Sequence, residues 1–129
     1  MQAKIVNNQA YNNGEHRILL SVAEHSTVSN NIVIANDDNG ICLDSSDFVS
    51  ITGNIAEGNG TTGYEAGIYL GDADDNILAG NICENNRNGI YIAADCDRNV
   101  VTGNRATGNN TLNFDNDGSN TTDSGNDWN

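Results

Sequence analysis

Asparagine recurs along this 129-residue chain at a nearly fixed interval. Asn8, Asn31, Asn54, Asn81 and Asn104 are separated by 23, 23, 27 and 23 residues. Asn13, Asn36, Asn59, Asn86 and Asn109 each follow five residues behind. A period of this size marks a solenoid. Other columns fall into register with it. Three residues before each first asparagine stand Ile5, Val28, Ile51, Leu78 and Val101, and two after it stand Ala10, Val33, Ala56, Cys83 and Ala106. Farther along come the apolar pairs Ile18/Leu20, Ile41/Leu43, Ile68/Leu70, Ile90/Ile92 and Leu112/Phe114. A spacing of two puts both members of a pair on one side of a strand. No segment holds helical apolar spacing over three turns, so no helix is expected beyond a terminal cap.

The expected fold is therefore all-β: a right-handed parallel β-helix solenoid of about five coils with three short strands per coil. Coils stack at the inter-strand spacing of ~4.8 Å, so like residues lie above like. That stacking accounts for the asparagines. Asn tolerates left-handed backbone at a bend, and its amide both donates and accepts, so stacked rungs can bond as a ladder. An antiparallel meander would instead use Asn13-Gly14, Asn39-Gly40, Asn59-Gly60 and Asn88-Gly89 as hairpin turns. The persistence of every column at one spacing argues against it.

The stretches "ITGNIAEGN", "LAGNICENN", "VTGNRATGN", "GIYL" and "GIYI" resemble the parallel β-helix repeats of the pectate-lyase-like superfamily. That group includes polysaccharide lyases, C5-epimerases, phage tailspikes and NosD-type periplasmic proteins. The resemblance covers roughly residues 4–114 and implies the fold; it does not fix an activity, because activities are grafted onto such scaffolds. The chain is expected to be a non-catalytic module presenting a carbohydrate-facing or partner-facing surface, as in a cell-surface or phage-tail-type protein. The alternative is the C-terminal portion of a polysaccharide lyase, hydrolase or epimerase. An extracellular, cell-surface or virion-associated setting accompanies either.

The repeats are expected over 1–114, with 115–129 as a capping tail in which Trp128 folds over the last coil. Nothing at residues 1–4 would cover an open end. The chain is thus expected to be the C-terminal part of a longer protein, with Met1 as an added start. Eighteen acidic against five basic residues give a net charge of −13, which repels nucleic acid and anionic membranes. No apolar run is long enough for a membrane span. Cys83 reads as core filler, Cys42 as facing out from mid-strand and Cys96 as lying in a loop. Unpaired cysteines favour assembly in the cytoplasm. The sequons at Asn59, Asn109 and Asn120 read as accidents of an Asn-rich chain.

Three surface features are candidates for function. The turn after each apolar pair is acidic, and Asp72, Asp74, Asp75, Asp95 and Asp97 should stack into a stripe that calcium could relieve. No known calcium loop is present, and no cofactor is required. One coil carries four extra residues, in "GTTGYEAG" at 60–67. This loop should sit beside Tyr69 and Tyr91, the outward middle residues of adjacent strands. Tyr64, Glu65, Tyr69 and Tyr91 would then form a surface for a poly- or oligosaccharide, since aromatic rings offer apolar area with a polar handle. Finally, Ile32, Ile55 and Ile82 each follow a ladder asparagine and should point outward between Gln9 and Arg105. Such a stripe suits self-association as a dimer or trimer.

No catalytic residue is assignable. Asp37-Asp38 and Glu65 with Asp72 are the available carboxylate pairs for glycoside chemistry, but the Gly-His-Gly and Arg-Ile-Lys partners of polygalacturonase-like enzymes are absent. The Pro-containing motifs of pectate lyases and alginate epimerases cannot occur in a chain without proline. His16 and His25 stand at no metal-ligand spacing. The chain alone reads as a non-enzyme; if it is one, it is a carbohydrate-active lyase, hydrolase or epimerase.

Overall fold

The computed structural model describes residues 2–129, so the reading of Met1 as an added start lies outside the described residues. Sixteen short strands form three parallel sheets. Sheet A holds β1 (Lys4–Val6), β4 (Thr27–Ser29), β7 (Ser50–Thr52), β10 (Ile77–Ala79), β13 (Val100–Thr102) and β16 (Thr122–Ser124). Sheet B holds β2 (Gln9–Tyr11), β5 (Ile32–Ile34), β8 (Ile55–Glu57), β11 (Ile82–Glu84) and β14 (Arg105–Thr107). Sheet C holds β3 (Ile18–Ser21), β6 (Ile41–Asp44), β9 (Ala66–Gly71), β12 (Asn88–Ile92) and β15 (Phe114–Asn116). Each strand pairs with those one coil above and below, and every pairing between named strands is parallel. The Asn-Gly dipeptides therefore close no hairpins.

The register stacks Val28, Ile51, Leu78 and Val101 in sheet A and Val33, Ala56, Cys83 and Ala106 in sheet B, all fully buried. Ile18, Ile41, Ile68 and Ile90 form the matching column of sheet C. Full burial of each Val, Leu or Ile in these columns is worth roughly 1.5–3 kcal/mol. The expected pair Leu112/Phe114 is displaced by one step of two. Phe114 lies opposite Ile90 and Asn116 opposite Ile92, while Leu112 stays outside, 46% exposed.

Two asparagine ladders run through the stack. The Asn81 Oδ1 accepts from both the backbone N–H (3.0 Å) and the Nδ2 (3.0 Å) of Asn54. Asn81 in turn donates N–H and Nδ2 to Asn104 Oδ1, each at 2.9 Å, and Nδ2 also to the Ile51 carbonyl at 2.9 Å. The second ladder repeats this from Asn36 through Asn59 and Asn86 to Asn109. It ends where Asn109 folds back on Asn113 Oδ1.

The second ladder also dictates glycine at the start of three sheet C strands, β6, β9 and β12. A Cβ on Gly67 would lie 2.7 Å from Asn86 Nδ2 and 2.9 Å from the Gly89 carbonyl. Gly40 and Gly89 are crowded in the same way by Asn59 and Asn109. The Gly-Ile of "GIYL" is thus a packing requirement of its neighbouring asparagine column.

Past Phe114 the coil path continues. β16 pairs with β13, and Asn126, 22 residues after Asn104, accepts its N–H at 2.7 Å and its Nδ2 at 3.0 Å. Asn126 is a sixth rung of the first ladder. Trp128 stacks on Phe114, with ring centroids 4.6 Å apart and planes 11° from parallel.

The ladder predicts a graded mutational response. Asn81→Leu strands the Asn54 donors and the Ile51 carbonyl without partners in the core, at a cost of about 3 kcal/mol or more. Asn8→Leu, on the exposed first rung, costs a fraction of that. Paired denaturant melts of the two variants check the ordering.

Candidate functional site

The outward face of sheet C carries the sugar-type candidates. Its central column, in register from coil to coil, is Leu19, Cys42, Tyr69, Tyr91 and Asp115. The four extra residues loop out between β8 and β9. Glu65 ties this loop from within. Its Oε2 accepts the N–H groups of Thr61 (2.5 Å) and Thr62 (2.6 Å), and its Oε1 accepts the Thr62 hydroxyl at 3.0 Å. Burial would raise this carboxyl, but the bonds from Thr62 and Thr61 outweigh it and hold it below its ordinary value. Arg87 braces the loop from the next coil, donating from Nε to the Gly63 carbonyl at 3.4 Å.

The tied loop sets Tyr64 over the sheet. Tyr64 is 69% exposed and stacks on Tyr91, with centroids 5.4 Å apart and planes 19° from parallel. Tyr69 packs on the same ring at 5.5 Å and 45°. Tyr91 is outward in register, yet the two neighbours leave it 7% exposed. Its hydroxyl donates to Asp117 Oδ2 at 3.1 Å, and burial together with that carboxylate pushes its pKa to about 12. The structure thus brings three tyrosines into one platform. Tyr64 and Tyr69 offer surface to solvent, Tyr91 supports them, and Glu65 holds the loop.

The acidic turn is organised by hydrogen bonds rather than left to repel itself. Asp47 Oδ1 accepts the Asp74 N–H at 2.8 Å, Asp74 Oδ1 accepts the Asp97 N–H at 2.7 Å, and Asp97 Oδ1 accepts Asn120 Nδ2 at 2.8 Å. Asp95 Oδ1 accepts the Asp72 N–H at 3.0 Å. Arg98 adds the cation. It donates Nε to Asp75 Oδ1 at 2.9 Å and Nη2 to Asp75 Oδ2 at 2.8 Å, approaches Asp74 at 3.5 Å and pairs with Asp97. The hydrogen bond from Arg98 holds Asp75 below its ordinary pKa. Among the described residues, no group of three His, Cys, Asp or Glu is placed to hold a metal.

Ile32, Ile55 and Ile82 form one outward column of sheet B, between Gln9 and Arg105, and each is half-buried. Ile34, which sequence reading passed over, lies in the adjoining outward column after Tyr11. The cysteines differ from expectation. Cys42 is outward in register as expected but only 4% exposed between Leu19 and Tyr69, and Cys96, in the loop between β12 and β13, is buried in the core. Burial first, with nearby Asp38 and Asp44, pushes Cys42 up to about 12; burial alone does so for Cys83, and chiefly burial takes Cys96 to about 11. Of the candidate carboxylate pairs, Asp38 is engaged by His16 at 2.9 Å and Glu65 by its own loop.

Parallel coils, asparagine ladders and an outward platform on one sheet define a parallel β-solenoid of the pectate-lyase-like kind. The family model described as periplasmic copper-binding protein (NosD) matches residues 1–129, and the chain belongs to that family. Among solved structures, the A-module of mannuronan C-5 epimerase AlgE6 from Azotobacter vinelandii superposes with a TM-score of 0.84 at 20% identity. The match covers 96% of this chain and 34% of that one, so this chain spans about a third of its length. At that identity the likeness shows the fold. No curated protein matches by sequence. Among the described residues, no helix is long and apolar enough to cross a membrane.

The role of Arg98 predicts an acid response. A carboxyl whose folded pKa is lowered contributes stability above its unfolded pKa and loses it as pH falls through the folded one. The stability gap between wild type and Arg98→Gln is therefore expected to close as pH drops below the ordinary carboxylate range, read by thermal melts across pH. Because the relief is internal, calcium and chelator should give the wild type the same Tm. A Tm raised by calcium would show that a cation is still needed.

Proposed function

We propose that this chain is a non-catalytic β-solenoid module whose tyrosine platform on sheet C is a saccharide-facing surface. The observation that carries this reading is Tyr64, held 69% exposed over Tyr91 by a loop found in one coil alone. An insertion on a rigid repeat that ends in a presented aromatic ring is where function is commonly placed. Flat rings beside hydroxyl and carboxylate groups suit the alternating apolar and polar faces of a sugar. The epimerase module that shares the fold acts, by its title, on mannuronan. An extracytoplasmic setting follows the family's description as periplasmic.

That description also names copper, and the described residues of this chain do not fit it. Copper favours imidazole and thiolate or thioether ligands, and thiolates must first lose their protons. All three cysteines are buried, with thiols pushed to about 11 or 12. His16 is engaged by Asp38, and His25 stacks on Phe48 with centroids 5.0 Å apart. We derive no copper chemistry for this chain.

A platform built on few stacking contacts binds weakly, with Kd in the range of about 0.1–1 mM or above. Tyr64→Ala is expected to weaken oligosaccharide binding at least several-fold in NMR titration while leaving Tm within about 1 °C, because the ring is exposed. An oligosaccharide array with no binder at millimolar concentration would remove the reading. The alternative, a portion of a carbohydrate-active lyase, hydrolase or epimerase, predicts turnover of an oligosaccharide by the native chain and is checked on the same array by mass spectrometry of the products.

The isoleucine face supports a second, compatible role, contact between copies of the chain. Ile55→Asp is expected to keep the β-sheet circular-dichroism signal and to convert any dimer or trimer to monomer in light scattering. Wild type that is already monomeric at high concentration would remove this role.

A further inference from the structure

The chain has five basic residues, and the structure commits most of them away from the platform. Arg98 pairs with Asp74, Asp75 and Asp97; Arg105 pairs with Glu84; Arg17 and Lys4 belong to the first coil. At the platform itself the balance is different. Asp115 follows Tyr91 in the outward column, and Asp117 holds the Tyr91 hydroxyl. Neither forms an ion pair among the described residues, and each adds to the field on the other and on Tyr91. Asp95, just past the end of β12, and Asp44, at the end of β6, act on Tyr69 after burial, the main cause of its raised pKa. The sole nearby cation, Arg87, lies against the loop beside Glu65, so that pair is close to neutral.

The aromatic faces therefore stand in a negative field. A ring face attracts cations through its quadrupole, and unpaired carboxylates at its rim add to that attraction. Polyanions meet the opposite sign. We propose that this platform selects saccharides bearing protonated amines, glucosamine oligomers being the simplest, over uronate polymers such as the one named for the epimerase module of the same fold. The proposal rests on the platform being a saccharide site, and it goes beyond that reading by naming the charge class.

The test titrates the native chain with three oligomers of equal length at low salt and mildly acidic pH, where the amines are protonated and the aspartates remain ionised: glucosamine, its N-acetylated form and a uronate. Glucosamine oligomers are expected to bind about tenfold tighter than the acetylated form, with the uronate weakest, and added salt should close the gap. Asp115→Asn with Asp117→Asn removes two charges while leaving an acceptor for the Tyr91 hydroxyl. It should erase the preference and leave binding of the acetylated oligomer intact. Tyr64→Ala should weaken all binding. Glucosamine binding that survives Tyr64→Ala would locate the attraction in the general surface charge and overturn the proposal. Uronate binding equal to or tighter than glucosamine would overturn it while leaving the saccharide platform standing. Failure of all three oligomers would overturn both.

Discussion

An asparagine amide buried between coils is stable only if the coil below supplies an acceptor at hydrogen-bond distance, and the rest of the structure follows from meeting that condition. An unmet buried donor costs about 1–3 kcal/mol, so a ladder rung forbids any change in coil length that would move its partner. Asn54 and Asn81 show the consequence. They are 27 residues apart, yet they bond at 3.0 Å, as Asn31 and Asn54, 23 apart, do at 2.9 and 3.0 Å. The four extra residues have no room within the coil. They are expelled as a loop, and Glu65 closes that loop with three short bonds. The presented Tyr64 is in this sense a product of the ladder.

The same condition decides where bulk is allowed. Two corner columns flank the asparagines in left-handed backbone, one running Asn30, Gly53, Gly80, Gly103 and the other Ala35, Gly58, Asn85, Gly108. Glycine and asparagine dominate there, as left-handed geometry favours. The corners after sheet C are also left-handed, but they hold Val22, Ser45 and Asp72, then His25, Phe48, Asp75 and Arg98. A non-glycine residue in this region costs of order 1 kcal/mol or more. At Asp75 and Arg98 the return is visible, since the strained column sets the two side chains one coil apart for a bidentate pair. At His25 and Phe48 it is a ring stack.

The fold was legible in the sequence because period and stacking are both local rules. Sheet assignment, parallel register and both long ladders could be read from columns alone. What escaped notice lacked a repeated letter. A third asparagine column spans only Asn76 and Asn99, with Ser46 in the earlier coil supplying a related cap one turn corner away. The sixth rung, Asn126, sits at the right spacing, but the polar run around it hides the apolar columns that make a repeat recognisable. Leu112 misled for the converse reason: it is apolar and two residues before Phe114, yet its coil lacks the Gly-Ile start found at Gly40-Ile41, Gly67-Ile68 and Gly89-Ile90.

The platform was only partly legible, for a physical reason. Alternation says which face of a strand a residue occupies, and it placed Tyr69 and Tyr91 correctly outside. It does not say what a loop will lay over that face. Tyr64 covers Tyr91, turning one expected contact residue into support for two others. Nor does composition locate charge. A net charge of −13 reads as a uniformly acidic coat, whereas Arg98 is placed among Asp74, Asp75 and Asp97 of the acidic turn, and no ion pair reaches Asp115 or Asp117 among the described residues. Asp115 and Asp117 stand beside Tyr91 with no cation paired to either among the described residues, so their charge is open to a cationic or hydrogen-bonding group that meets the rings. In the proposed saccharide reading that unpaired charge is what a ligand would meet, and it lies beside the single loop that the repeat could not absorb.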